Sequence, residues 1–206
     1  VALKTIGFVL FEGFELLDVF GPAEAYGIHD AGGAFRLVMV AQTAGKLTSA
    51  QGPAAVAEFG FADCPHLDLM LVPGGIGTRR EVDNPAMISW LQTRAQEVEL
   101  VTSVCTGAGL LARAGILDGR RATSNKRSLD WVMSQGPKVE WVQQARWVED
   151  GKFATSSGVS AGIDMALAII ARICGKDVAE KVAISMEYEW HRDAGWDPFA
   201  KIWGRG

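Results

Sequence analysis

The chain has 206 residues, 49% of them hydrophobic and 21% charged, which is enough apolar material for a real core and short enough for one domain over 1–206. Lysine and arginine total 20 against 24 aspartates and glutamates, and a net charge of -4 argues against a nucleic-acid surface. A small-molecule substrate is expected instead. No apolar run reaches the roughly 18 residues of a membrane-spanning helix. The start reads as a strand rather than a basic leader, so a cytoplasmic protein with no membrane partner is expected.

In chain order, Lys4 to Phe11 is a run rich in Ile, Val and Phe, which predicts a strand. Glu15 to Ile28 places Leu16, Val19, Phe20 and Ala23 at helical spacing. From Phe35 to Phe61 the pattern shortens and alternates, predicting antiparallel excursions at a sheet edge. A second strand is expected over Leu67 to Val72, followed by Pro73-Gly74-Gly75 and a helix from Pro85 to Glu97. A third strand, Val98 to Val104, leads into a helix from Thr106 to Ala114. Trp147 to Ser156, around Asp150-Gly151, predicts a hairpin. Helices are expected over Ala161 to Ile173 and Asp177 to Trp190. The tail, His191 to Gly206, carries Trp196, Phe199 and Trp203 and is too apolar to hang free, so it should pack on the domain or on a second subunit. Repeated strand and helix units imply an α/β fold with a mostly parallel central sheet.

The cysteines, Cys64, Cys105 and Cys174, are odd in number and widely spaced, as expected of free thiols in a reducing compartment. The histidines, His29, His66 and His191, form no ligand pattern, so no metal and no cofactor is expected. Cys105 stands where a buried strand runs into Thr106-Gly107 and a helix, the arrangement of a nucleophile elbow at the carboxyl edge of a parallel sheet. The helix start there should favour a thiolate. Buried inert cysteines are common, and that reading suits Cys64 and Cys174 better. The acidic partners available at the first strand–helix junction are Glu12, Glu15 and Asp18. Asp18 has apolar flanks that would raise its pKa, although an acidic residue in a first turn also serves as a helix cap.

The runs Ile6–Phe11, Leu17-Asp18-Val19-Phe20-Gly21-Pro22, Phe61–Pro65, Val72-Pro73-Gly74-Gly75, Thr102–Gly107 and Ser160–Asp164 resemble the ThiJ/PfpI family of the class I glutamine amidotransferase-like superfamily, nearest to its isocyanide hydratase branch. The resemblance implies a flavodoxin-like sandwich, usually a homodimer, with Cys105 as nucleophile and Asp18 as acid/base. It implies that Thr106 positions the nucleophile or a water through its hydroxyl, and that backbone N–H groups of Gly75 and Val159 line the site. The implied reaction is hydration of an isocyanide to an N-substituted formamide. The hydratases carry a histidine where Asn125 stands, and family members with protease, glyoxalase or deglycase assignments often carry one at the place of Thr106.

Other readings stay open. Gly107-x-Gly109-x-x-Ala112 has the form of a dinucleotide fingerprint, with Asp130 as its acidic partner. A glyoxalase-type or amidase-type activity on another small carbonyl substrate would use the same cysteine. A non-enzymatic module would bind a ligand, or would oxidise Cys105 to a sulfinic acid held by Asp18.

Overall fold

The computed structural model describes residues 2–28 and 31–205, so His29 lies outside the described residues. The first strand, β1 (Lys4–Val9), is buried along its second half, as a strand covered on both faces must be. It feeds α1 (Leu16–Gly27) and then β2 (Phe35–Ala41), which pairs with β1 in parallel, Ile6 opposite Leu37. A small antiparallel hairpin, β3 (Gly45–Thr48) and β4 (Ala54–Ala57), stands apart from the main sheet, and β5 (Phe59–Gly60) returns to pair in parallel with β2. The antiparallel excursions expected over Phe35 to Phe61 are therefore confined to β3 and β4. The alternation in β2 comes from thin cover: Arg36 is exposed between buried Phe35 and buried Val38, next to an edge strand of two residues.

The chain then crosses to the other side of β1. The strand β6 (Leu69–Val72) pairs with β1, α2 (Thr78–Glu81) and α3 (Pro85–Glu97) follow, and β7 (Leu100–Ser103) pairs with β6. The Asn84 side chain caps α3 by accepting from the Ala86 and Met87 N–H groups, with Pro85 at the first helical position. After β7 come α4 (Gly107–Arg113), the short strand β8 (Arg121–Ala122), α5 (Leu129–Gln135) and β9 (Glu140–Trp141), which pairs only with β8. The expected hairpin is β10 (Trp147–Asp150) with β11 (Phe153–Ser156); β11 joins β7 in parallel and β10 forms the antiparallel edge. The seven-stranded order is β10-β11-β7-β6-β1-β2-β5. This is the α/β sandwich with a mostly parallel sheet that the strand–helix alternation implies.

Because β1 continues to β2 on one side and to β6 on the other, right-handed crossovers send α1 and α3 to opposite faces. The reversal leaves a crevice at the carboxyl ends of β1 and β6, the position where open α/β sheets bind ligands. The helix α6 (Ala161–Cys174) packs on α1 and on α7 (Lys176–Ser185), while α4 packs on α3 and α5. The helix expected to run to Trp190 ends at Ser185 because Glu187 turns left-handed, φ 48°, and the Tyr188 N–H returns to the Ala183 carbonyl.

The tail does pack on the domain, through charge as well as apolar contact. Asp197, at the start of α8 (Pro198–Ile202), is buried, accepts from the Ser157 hydroxyl, and lies 3.8 Å from the buried Lys126 ammonium and 3.7 Å from the Arg146 guanidinium. Arg146 also pairs with buried Asp164 at 2.7 Å, and Asp164 in turn accepts from the Tyr188 hydroxyl and the His191 N–H. Trp196, Phe199, Ile202 and Trp203 nevertheless stay about half exposed or more.

Burial pushes the Lys126 ammonium down to about 8 from 10.5, against the opposing pull of Asp197. Between those values the unfolded chain binds more protons than the folded one, so this group's contribution to stability rises with pH across that window. Lys126→Met removes it. Measured in urea, the unfolding free energy of the wild type minus that of the variant should grow by roughly 1–3 kcal/mol from about pH 7 to about pH 10. A difference flat with pH would mean that the amine titrates like a free lysine.

Candidate active site

Three segments crowd together at the carboxyl edge of the sheet. The loop after β6 runs Pro73-Gly74-Gly75-Ile76-Gly77 and threads between the loop after β1 and the turn after β7. A Cβ on Gly74 would lie 2.5 Å from the Thr106 nitrogen and 2.8 Å from Cys105 Cβ. One on Gly75, already at φ 119°, would meet the Gly13 carbonyl oxygen at 2.3 Å. Only glycine lets the three backbones approach this closely.

Cys105 adopts φ 57°, a left-handed conformation uncommon for a residue with a side chain. Its N–H donates to the Ser157 carbonyl at 3.0 Å, and its own carbonyl accepts from the buried Ser124 hydroxyl at 2.6 Å. Gly107 opens α4 against the Val72 and Pro73 carbonyls, where a Cβ would come within 2.1 Å. The elbow is thus fixed from both sides, with the Cys105 side chain at the wall of the crevice and only 7% of the residue exposed.

Asp18 reaches the same place from α1. Its side chain is wholly buried, and one oxygen, Oδ2, accepts from the Gly74 N–H at 2.8 Å. The other oxygen, Oδ1, makes no hydrogen bond of ordinary geometry. Asp18 is therefore no helix cap: its partner belongs to a different loop, and α1 begins at Glu15 without any side-chain cap. Burial pushes the Asp18 carboxyl well above the usual carboxylate range, with the Glu15 charge adding to the rise. The Gly74 N–H, the Cys105 thiol and the Val159 N–H pull the other way and do not prevail.

The expected thiolate is not what this environment favours. Burial first, and then the charge of Asp18, hold the Cys105 thiol well above its ordinary pKa, outweighing the backbone N–H groups of Thr106 and Val159. Without a ligand, the site holds a thiol beside a protonatable carboxyl.

Thr106 is buried next to them, and its Oγ1 accepts from the Gly75 N–H and the Thr78 hydroxyl, both at 3.1 Å. The Gly75 N–H expected to face a ligand is thus already given to Thr106. Val159, at φ 48°, lines the crevice with Cys105, Thr106 and Gly75 around a cavity of about 440 Å³. Glu15 and Asn125 also line it, and the Asn125 Oδ1 accepts from the Ser128 N–H at 3.0 Å. The sequence reading missed two cations on this wall, Arg79 and Arg127. The Arg79 guanidinium stacks 3.8 Å from the Trp131 ring centroid and donates to the Thr78 hydroxyl at 3.1 Å. Their only sequence signal is that each follows a residue of a loop at the carboxyl edge.

Elsewhere the expectations divide. Cys64 and Cys174 are half-buried thiols away from the crevice, each raised by burial first. Asp130 lies in α5 and pairs with Arg205 at 2.7 Å, so it does not stand at a strand end as a dinucleotide's partner must. Glu12 accepts from the Thr48 N–H at the rim of the hairpin and does not line the Cys105 crevice.

Since Asp18 helps hold the thiol up, Asp18→Asn should lower the Cys105 pKa and increase its rate of alkylation by iodoacetamide at neutral pH. Peptide mapping across a pH series reads this directly. An unchanged midpoint would mean that the two side chains do not share their electrostatics.

A family model described as the DJ-1/PfpI family matches residues 4–172. An isonitrile hydratase of Pseudomonas putida is 33% identical over 183 residues, 89% of this chain and 78% of that protein. The HTH-type transcriptional regulator GbdR of Pseudomonas aeruginosa is 27% identical over 189 residues, and the chain spans only 51% of its length. Among solved structures, a ThiJ/PfpI family protein from Pseudomonas syringae superposes with a TM-score of 0.84 at 28% identity, covering 92% of this chain and 76% of that one. With the family model matched over residues 4–172 and a relative 33% identical over most of both chains, the chain belongs to the DJ-1/PfpI family.

Proposed function

We propose that the chain is a cysteine-dependent hydratase that converts a small isocyanide to an N-substituted formamide, with Cys105 as nucleophile and Asp18 as acid/base. The observation that carries this reading is the free Asp18 Oδ1, buried beside the thiol and inclined to hold a proton. The similarity to an isonitrile hydratase over most of both chains supports it.

In this reading the Cys105 sulfur adds to the terminal carbon of the isocyanide, and Asp18 carries the thiol proton to that carbon. The product is a thioimidate, R–N=CH–S–Cys105. Water adds across the C=N bond, and the tetrahedral adduct collapses: the C–S bond breaks, the hydroxyl proton returns to sulfur, and R–NH–CHO leaves. The balance is one isocyanide and one water to one formamide. Thr106 holds the Gly75 loop against the elbow, and the Val159 N–H faces the reacting atoms. Because the resting sulfur is a thiol, nucleophile and acid are generated together by one proton shift, a role for which a distant histidine is not required.

The resemblance to a transcriptional regulator favours a second reading, in which the same pocket binds a small ligand without turnover. Formamide production from an isocyanide decides between them. Cys105→Ser should abolish it, and Asp18→Asn should lower kcat/KM by about a hundredfold to ten-thousandfold, with Glu15→Gln costing much less. Equal small effects of Asp18→Asn and Glu15→Gln would remove Asp18 from the mechanism.

A homodimer belongs to the same reading, because the tail leaves Trp196, Phe199, Ile202 and Trp203 with more apolar surface than a monomer ordinarily exposes in one place. Sedimentation at micromolar concentration should give about twice the 22.1 kDa of one chain, and a mass of one chain would rule it out.

A further inference from the structure

Most arginines of this molecule lie against carboxylates, as Arg80 does on Glu81 and Arg192 on Glu180. Among the described residues, Arg36, Arg79, Arg121 and Arg127 form no ion pair with a carboxylate, and of these Arg79 and Arg127 line the Cys105 crevice. Arg79 is held in place, its guanidinium 3.8 Å from the Trp131 ring centroid with one N–H on the Thr78 hydroxyl, and it lines the cavity. Arg127 lies 5.8 Å from the Trp203 ring centroid at the outer rim. The cavity's one lining carboxylate, Glu15, is engaged by the Gln51 amide at 2.7 Å. The lining thus holds two guanidinium groups against one carboxylate.

From this arrangement we infer that the substrate carries a carboxylate, bound by Arg79 and Arg127, a few bonds from the carbon that Cys105 attacks. This deepens the hydratase reading above and rests on the Cys105 crevice being the substrate site. A guanidinium matches a carboxylate with two parallel N–H···O bonds, and a guanidinium pinned by stacking loses little further freedom on binding. A cavity of about 440 Å³ suits a small acid rather than a chain. An isocyanide bearing such a group would leave as an N-formyl amino acid. The exposed rim position of Arg127 gives it the smaller share of the affinity, and half-buried Arg79 the larger.

Two measurements on the whole protein test this, one independent of turnover. In calorimetry, N-formylglycine should bind at least about tenfold more tightly than its neutral isostere N-formylglycinamide. The preference should fall to within about twofold in Arg79→Gln/Arg127→Gln, and should survive in Arg121→Gln, whose exposed side chain does not line the cavity. In kinetics, isocyanoacetate should exceed its methyl ester in kcat/KM through a lower KM, and the double variant should lose that advantage. Equal binding of the acid and the amide, or binding of neither at millimolar concentration, overturns the inference even if both isocyanides are hydrated. A tenfold preference for the acid that the double variant abolishes, found without any formamide production, upholds the carboxylate site and sinks the hydratase reading instead.

Discussion

The structure depends on one strained turn. Cys105 at φ 57° occupies a conformation costing of order 1–3 kcal/mol for a residue with a side chain, and such a turn persists only where its surroundings over-determine it. Here they do. The backbone N–H and carbonyl of Cys105 are each taken by a partner from a different segment, Ser157 after β11 and Ser124 after β8. Gly74 and Gly107 remove the Cβ atoms that would push the neighbouring loops away. Relaxing the turn would break two hydrogen bonds and swing the sulfur out of reach of Asp18.

The same turn explains why charge is buried under the C-terminal tail. Ser157 accepts from the Cys105 N–H and gives its own hydroxyl to Asp197, which shares the interior with Lys126 and Arg146. Buried ion groups contribute little net stability, since desolvation cancels most of their attraction, but removing one partner leaves an unpaired charge at a cost of several kcal/mol. The network therefore acts chiefly on register. It fixes where the tail lies on the domain, and with it the segment from Ser157 to Ser160 that supplies one wall of the crevice and the Val159 N–H.

Much of this was legible in the residues themselves. Apolar strands running into helices announced the parallel sheet, and the helix expected from about Pro85 to Glu97 is α3 with those bounds. The apolar flanks of Asp18 signalled burial and a raised pKa, which the buried carboxyl bears out in direction. The failures have local causes. The strand β2 alternates because a two-residue edge strand cannot cover it, and alternation alone does not reveal parallel pairing. The thiol's state depends on how closely α1 brings Asp18 to the elbow, 87 positions along the chain from it, which no local pattern encodes. Arg79 stands in no motif of the sequence. Its place in the crevice follows from the close passage of the Gly74–Gly77 loop, and its orientation from an indole supplied by α5.

The mutual influence of Cys105 and Asp18 also bears on how one architecture serves both hydratases and regulator domains. Burial raises both groups and the Asp18 charge raises the thiol further, while the thiol pulls the Asp18 carboxyl the other way, so the sulfur is held toward its protonated form. That protects a buried cysteine from indiscriminate alkylation and oxidation, which follow thiolate character. Reactivity then has to be brought by the ligand. A molecule whose carbon accepts the proton that leaves the sulfur converts the resting pair into nucleophile and spent acid in a single step, whereas a molecule without such a carbon simply occupies the cavity. On the two readings proposed above, what would separate catalysis from sensing is less the presence of the cysteine than the fate of the adduct. On the hydratase reading proposed above, turnover requires that water reach the carbon bound to sulfur, in a cavity that Val159, Asn125 and the two arginines line together with Cys105 and Thr106 of the elbow.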